Sequence, residues 1–195
     1  TVARVALHLL VVCTGNVCRS PLAEVVLRSG LQHSGDSGVQ VTSAGTGALV
    51  GAPMPDEAVE LAVRAGGSAH LAAQHRARDL TPADLASADL VLTATRKHRA
   101  DVVAQRPALL RRAFTLREVG RLAPLVSGWV EGHVPEQRLS SLVGLLPAAR
   151  GRWPVTGDED DLVDPFRQGA AVWRRCEQEA LPALEALLGV VAPRS

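Results

Sequence analysis

Short apolar runs separated by amphipathic segments predict the fold class of this chain. Residues 5–12 form a near-continuous apolar run without strict alternation, which is typical of a central parallel strand covered on both faces. Strands are also predicted over residues 39–43 and 89–93, with a short last strand at Phe114 and Thr115. Because helical segments separate these strands, the pattern predicts an open α/β fold with a parallel sheet flanked by helices.

Helical spacing of apolar residues predicts the connecting elements. Pro21 stands where the first turn of a helix tolerates proline, Leu22 and Val25 continue at helical spacing, and Gly30 ends the pattern. Further helices are predicted over residues 56–65, 96–105 and 166–188, the last of them long and amphipathic.

Residues 118–157 are the least regular part of the chain. Two moderate helical patterns, at residues 117–126 and 135–149, are separated by Gly and Pro residues. We interpret this segment as a helical insertion in a single domain spanning residues 1–195, a length that supports one substantial core. The acidic run that follows, residues 158–161, is predicted to be a solvated loop.

Charge and hydropathy exclude several classes of protein. The chain has 21 Lys and Arg against 20 Asp and Glu, so we expect no broad basic face and no nucleic-acid partner. The first apolar stretch is interrupted by His8 and is far shorter than the roughly 20 residues of a membrane span. Three cysteines are too few for a secreted disulfide scaffold, so we expect reduced thiols and a cytoplasmic location.

The chemistry concentrates in the loop between the first strand and the first helix. Backbone N–H groups in such a loop converge on one point, and the N-terminus of the helix adds partial positive charge, so the loop can hold a phosphate without a metal. Gly and Asn suit the tight turn, since both tolerate a positive φ. The predicted phosphate-binding residues are Thr14, Gly15, Asn16, Val17, Cys18 and Arg19.

Residues at both ends of this loop provide the groups for covalent catalysis. The positive field favours the thiolate of Cys13, a nucleophile, and Arg19 can grip two phosphate oxygens with its fork of donors. Ser20 is either a hydrogen-bond donor to the Cys13 sulfur or a helix N-cap. A general acid is also needed for the leaving oxygen, and Asp164, which precedes Pro165, is the candidate.

These residues resemble the low-molecular-weight protein-tyrosine phosphatase family, and the bacterial members in particular. The family signature Cys-x-Gly-Asn-x-Cys-Arg-Ser-Pro is present, as is the late Asp-Pro pair, and only residues 118–157 look foreign. The resemblance implies a four-stranded parallel sheet and a phosphocysteine mechanism. In it Cys13 is the nucleophile, Arg19 the phosphate ligand, Ser20 the thiolate stabiliser, and Asp164 the acid that later becomes the base.

The resemblance also implies supporting residues. Asn16, Ser43 and His75 match the family's hydrogen-bond network, although His75 fits a structural role equally well. Cys18 matches a cysteine that can form a reversible disulfide with the nucleophile, whereas Cys176 is expected to be a buried packing residue. Phe166 stands where the family often has Tyr after the Asp-Pro pair, and Leu49 and Val50 stand where some relatives carry an aromatic residue. The resemblance therefore implies a substrate cleft with apolar walls at Leu49, Val50 and Phe166.

Other functions compete with phosphotyrosine hydrolysis. A related branch hydrolyses phosphoarginine, and that specificity is associated with Thr at the position of Val17, so Val17 favours the tyrosine ester. Related arsenate reductases need further redox cysteines and tend to have Gln where this chain has Pro21. A module that only binds phosphoproteins would be expected to lose Cys13 or Asp164.

No metal or other cofactor is implied, because Cys13 and Cys18 lack the two further ligands of a zinc site. The expected partner is a phosphorylated protein, for example a bacterial tyrosine kinase or a polysaccharide-export protein. The sequence leaves the substrate, the oligomeric state and the role of residues 118–157 open.

Overall fold

The structure is a computed structural model that describes residues 6–32 and 38–193. Strands and helices alternate along most of this length, as predicted. The strands are β1 (Leu7–Cys13), β2 (Val39–Gly45), β3 (Leu90–Thr93) and β4 (Ala113–Thr115). The helices are α1 (Arg19–Gln32), α2 (Asp56–Arg64), α3 (Ala69–Gln74), α4 (Pro82–Ser87), α5 (Arg96–Gln105), α6 (Leu116–Val126), α7 (Pro135–Arg152) and α8 (Ala170–Val191).

The four strands form one parallel sheet in the order β2-β1-β3-β4. This confirms the predicted fold class. Cys13 ends β1 opposite Gly45 of β2, and its predecessor Val12 lies opposite Thr93 of β3. The chain passes from β1 to β2 on one side, and the next strand, β3, lies on the other side of β1. Ligands of open α/β sheets bind at such a reversal of strand order.

Apolar side chains of β1 point alternately to the two faces of the sheet. Leu9 and Val11 belong to a large cluster that includes residues of α1, α6, α7 and α8, whereas Leu10 and Val12 pack in a smaller cluster on the opposite face. Leu122 of α6 and Leu146 of α7 are fully buried in the large cluster. The helices of residues 118–157 therefore share the core of the sheet.

Several predicted boundaries were wrong. The helix predicted over residues 166–188 begins at Ala170, because Arg167 has a φ of +56° and Gly169 is extended. Two helices were not predicted, and each has six residues and is capped by a side chain, that of Ser68 for α3 and that of Thr81 for α4. The predicted start of the first strand, residue 5, lies outside the described residues.

Candidate active site

The loop between β1 and α1, which we call the phosphate loop (residues 13–19), is fixed by the buried Asn16. Its φ is +53°, in the left-handed region that Asn tolerates, as predicted. Its amide nitrogen donates to Ser20 Oγ at 2.9 Å and to Ser43 Oγ at 2.8 Å, and its amide oxygen accepts from the backbone N–H of Arg78 at 2.9 Å. The conformation of the loop is therefore held by contacts with α1, β2 and the segment after α3.

Two more side chains extend this network. His75 Nε2 lies 2.7 Å from the backbone oxygen of Asn16, and Ser43 donates to Glu24 Oε2 at 2.6 Å. The predicted supporting residues thus meet at Asn16. Glu24 was not predicted, because a Glu in a helix gives no sequence signal for a contact with a strand.

Ser20 lies next to the sulfur of Cys13. The distance from Ser20 Oγ to Cys13 Sγ is 3.0 Å, and both residues are buried. Because Ser20 Oγ already accepts from the Asn16 amide, its own proton is free to point at the sulfur, as the predicted role of Ser20 requires. Ser20 lies inside α1, which begins at Arg19, so the alternative N-cap interpretation was wrong.

Arg19 connects the phosphate loop to Asp164. Arg19 Nη2 lies 2.6 Å from Asp164 Oδ2, and Nη1 donates to the backbone oxygen of Leu162 at 3.4 Å. The Arg19 side chain is 5% exposed and that of Asp164 is 52% exposed. Arg19 Nε is buried without a hydrogen-bond partner among the described residues, so one donor remains for an oxyanion.

The cleft above Cys13 has apolar walls. Val17, Leu49 and Phe166 line it, together with Asp164 and Thr14. Val50 was predicted as part of the cleft, but it is 67% exposed and is not among the side chains that line it. The described side chains therefore give the cleft a largely apolar lining next to Cys13.

Thr14 makes a contact that the sequence did not indicate. Its Oγ1 lies 2.9 Å from Nε2 of the buried His98, whose Nδ1 lies 2.7 Å from Thr95 Oγ1. Burial, followed by the positive charge of Arg19, lowers the pKa of His98 to about 4, with smaller influences from Asp101, Lys97 and Asp164. His98 is consequently a neutral hydrogen-bonding group at pH 7.

The other two cysteines are buried thiols. Burial raises the pKa of Cys18 and that of Cys176 to about 12 each. Cys176 is fully buried, which confirms its predicted burial. No disulfide joins Cys13 and Cys18, and the redox role of Cys18 stays a prediction.

The acidic run before Asp164 is only partly solvated, which corrects the sequence interpretation. Asp158 and Glu159 are exposed, but Asp160 is 6% exposed and its carboxylate pairs with Arg121 of α6. Asp161 Oδ1 accepts from the backbone N–H of Arg96 at 2.7 Å. Periodicity could not reveal these partners, because they lie far away in the sequence.

Two features are absent from the described part of the chain. Within residues 6–32 and 38–193, no group of three or more His, Cys, Asp or Glu side chains is arranged to hold a metal ion. In the same part of the chain, no helix has the length and apolar character needed to cross a membrane.

Comparison with known proteins places the chain in a family. The sequence profile of the low molecular weight phosphotyrosine protein phosphatases matches residues 8–120. The low molecular weight protein-tyrosine-phosphatase Etp of Escherichia coli (strain K12) is 40% identical over 152 residues, 74% of this chain and 90% of Etp. A protein-arginine-phosphatase of Bacillus subtilis is 30% identical over 186 residues, 95% of each chain.

The fold agrees with these sequence matches. The YwlE arginine phosphatase from Geobacillus stearothermophilus superposes with a TM-score of 0.63 at 27% identity, covering 93% of this chain and 90% of that one. With the signature loop, the parallel sheet and the paired Arg19 and Asp164 in place, the chain belongs to the low molecular weight phosphotyrosine protein phosphatase family and is a cysteine-dependent phosphatase.

Proposed function

We propose that the protein hydrolyses phosphotyrosine in proteins through a phosphocysteine intermediate formed on Cys13. The observation that carries this proposal is the convergence of three groups on one cleft. Cys13 lies at its base with Ser20 Oγ at 3.0 Å, and Arg19 and Asp164 meet at 2.6 Å beside it. These are the nucleophile, the phosphate ligand and the acid that the reaction requires.

The first step forms the bond between sulfur and phosphorus. The Cys13 thiolate attacks phosphorus in line, the bond from phosphorus to the ester oxygen breaks, and Asp164 protonates the departing oxygen. Arg19 and the backbone N–H groups of the phosphate loop stabilise the charge on the equatorial oxygens. The partly exposed carboxyl of Asp164 is suited to reach the leaving oxygen at the mouth of the cleft.

The second step returns the enzyme to its starting state. Asp164, now a carboxylate, takes a proton from water, and the water oxygen attacks phosphorus. The bond from phosphorus to sulfur breaks, and the hydrogen bond from Ser20 stabilises the departing thiolate of Cys13. Inorganic phosphate leaves, and no metal takes part in this scheme.

The walls of the cleft support an aromatic substrate. Leu49 and Phe166 can hold a phenyl ring between them, and Val17 adds a third apolar surface. Hydrolysis of phosphoarginine is the second candidate, because a relative that matches 95% of the chain is named a protein-arginine-phosphatase. Val17 favours the tyrosine ester, since a valine cannot hydrogen-bond to a guanidinium or to a water molecule beside it.

The cysteines bear on arsenate reduction, the competing redox reaction, and on the location of the enzyme. Cys176 is a fully buried thiol whose pKa is raised, which argues against its use as a shuttle in arsenate reduction. Three free cysteines support a cytoplasmic location, where thiols stay reduced.

We propose a phosphorylated protein, such as a bacterial tyrosine kinase, as the substrate. We also propose that residues 118–157 are a helical part of the single domain 1–195.

Steady-state hydrolysis of para-nitrophenyl phosphate, a phosphotyrosine peptide and phosphoarginine in EDTA tests the proposal. We expect turnover by the wild type, none by Cys13→Ser, and a loss of about a hundredfold or more in Asp164→Ala, the typical contribution of a general acid. Asp158→Ala is the matched control, because Asp158 is exposed in the same acidic run. Preference for phosphoarginine would reject the tyrosine assignment, and full activity of Cys13→Ser would reject the mechanism.

A further inference from the structure

The loop that carries Asp164 is held by α6, although α6 lies well before it in the sequence. We call residues 160–164 the acid loop. We propose that Arg121 and Arg117 of α6 are positioning residues that hold the acid loop, so that Asp164 stays within reach of the leaving oxygen. The inference rests on the proposed function, because it takes Asp164 as the general acid.

Arg121 joins the two ends of the connection between α7 and the acid loop. Its Nε and Nη2 lie 3.4 Å and 3.2 Å from the two carboxylate oxygens of Asp160. Its Nη1 donates to the backbone oxygen of Trp153, directly after α7, at 2.9 Å. Asp160 is 6% exposed, so its carboxylate is shielded from water, and its pairing with the half-buried Arg121 fixes the beginning of the acid loop.

Arg117, one turn earlier on the same helix, holds the middle of the acid loop. Its Nη1 donates to the backbone oxygen of Asp161 at 2.9 Å and lies 3.8 Å from Glu179 of α8. Glu179 in turn accepts from the backbone N–H of Val163 at 2.8 Å. The N–H of Val163, the residue immediately before Asp164, is therefore bonded to a carboxylate that lies beside Arg117.

These contacts lead directly to the catalytic groups. The backbone N–H of Leu162 donates to the backbone oxygen of Ala94, directly after β3, and the Leu162 oxygen accepts from Arg19. Only three residues lie between Asp160 and Asp164, so a displacement at Asp160 moves the carboxyl group of the acid. A misplacement of about 1 Å can cost a hundredfold in rate.

The contacts of Arg121 give a role to a segment that the sequence left unexplained. The match to the family profile ends at residue 120, and Arg121 is the next residue. The helical segment 118–157 supplies Arg121 and the Trp153 oxygen that it binds. We infer that this segment supports catalysis by fixing the acid, without contacting the substrate.

A series of aryl phosphates with phenols of rising pKa tests this role. The value of kcat/KM reports the first step, and a working general acid makes it nearly independent of the phenol because the leaving oxygen departs protonated. We would compare the wild type, Arg121→Met, Arg117→Met and Asp164→Ala. Arg64→Met is the control, because Arg64 forms an exposed pair with Glu177 away from the acid loop.

The expected result is a steeper slope in the plot of log kcat/KM against the pKa of the leaving phenol. For Arg121→Met we expect kcat/KM for phenyl phosphate to fall by about tenfold or more and that for the most activated ester by less than about threefold, a weaker form of the Asp164→Ala pattern. Competitive inhibition by inorganic phosphate should stay within about threefold of the wild type, because the phosphate loop is untouched. Arg117→Met should change the slope in the same direction, and Arg64→Met should not change it.

Two outcomes would overturn the inference. One is an equal loss for all esters in Arg121→Met, which a merely structural role would produce, and the other is no loss at all. If Arg121→Met does not fold, the double variant Arg121→Met/Asp160→Asn avoids a buried unpaired carboxylate and is read by the same criterion. A shallow slope in Asp164→Ala would instead reject Asp164 as the acid, so failure of the proposed function is recognised separately.

Discussion

Replacing Asn16 should uncouple the phosphate loop from the rest of the fold. Asn16→Ala removes two donated hydrogen bonds, to Ser20 and Ser43, and leaves the backbone N–H of Arg78 without its acceptor. At about 1 kcal/mol for each hydrogen bond, and more for a stranded buried group, the loss is about 3 kcal/mol. Alanine in the left-handed region adds about 1 kcal/mol. We therefore expect a decrease of about 4 kcal/mol in the free energy of unfolding.

Urea denaturation followed by tryptophan fluorescence measures this change, and Asn16→Gly separates its two parts. Glycine removes the same hydrogen bonds but adopts the φ of +53° without strain. Its greater freedom in the unfolded chain offsets part of that gain, so Asn16→Gly should be more stable than Asn16→Ala by only about 0.5 kcal/mol. A decrease below about 1 kcal/mol in both variants would refute the reasoning.

Activity of the same variants tests the link from the loop to the nucleophile. Without the Asn16 amide, Ser20 Oγ loses the donor that turns its proton towards Cys13 Sγ. We expect kcat to fall by about tenfold or more in both variants, because a missing hydrogen bond to a charged group costs about 1.5 kcal/mol or more. Wild-type kcat in a folded variant would contradict this assignment.

Three further predictions concern stability, pH and specificity. Glu118 is 3% exposed and pairs with Arg99 and Arg150, so Glu118→Ala should lower the free energy of unfolding by about 3 kcal/mol or more, and a loss below about 1 kcal/mol would count against a paired buried carboxylate. His98 is held neutral by burial with a pKa of about 4, against 6.5 unfolded. Its contribution to the free energy of unfolding is full above pH 6.5 and is lost as the pH falls towards 4, by up to about 3 kcal/mol. His98→Gln should flatten the plot of the free energy of unfolding against pH between these values, and an unchanged plot would exclude His98 as the source of the loss. Val17→Thr should raise the ratio of phosphoarginine to phosphotyrosine hydrolysis, and an unchanged ratio would remove the argument from Val17.

The larger elements of the fold could be predicted from the sequence, because their patterns are strong and local. The apolar run of β1 and the helical spacing of α1 need no tertiary contact to be recognised. The two helices α3 and α4, at six residues each, are too short for a periodic pattern. The start of α8 was misplaced because the left-handed conformation of Arg167 is unusual for arginine.

The sequence predicted those site residues that stand in short contiguous motifs. Cys13 and Arg19 stand in one loop with an evident chemical logic, and Asp164 precedes a proline. The partners that hold them were missed because they depend on long-range packing. Thr14 and His98 are 84 residues apart, and Arg121 and Asp160 are 39 apart. Neither His98 nor Arg121 carries a local signal that separates it from any other helical residue.

Trapping the covalent intermediate tests the central claim most directly. The measurement is rapid quenching of wild type, Asp164→Ala and Cys13→Ala with a radiolabelled phosphotyrosine peptide, followed by mapping of the labelled residue. We expect label on Cys13 in the wild type, slower formation and decay of that label in Asp164→Ala, and no label in Cys13→Ala. Label on another residue, or turnover by Cys13→Ala, would contradict the account.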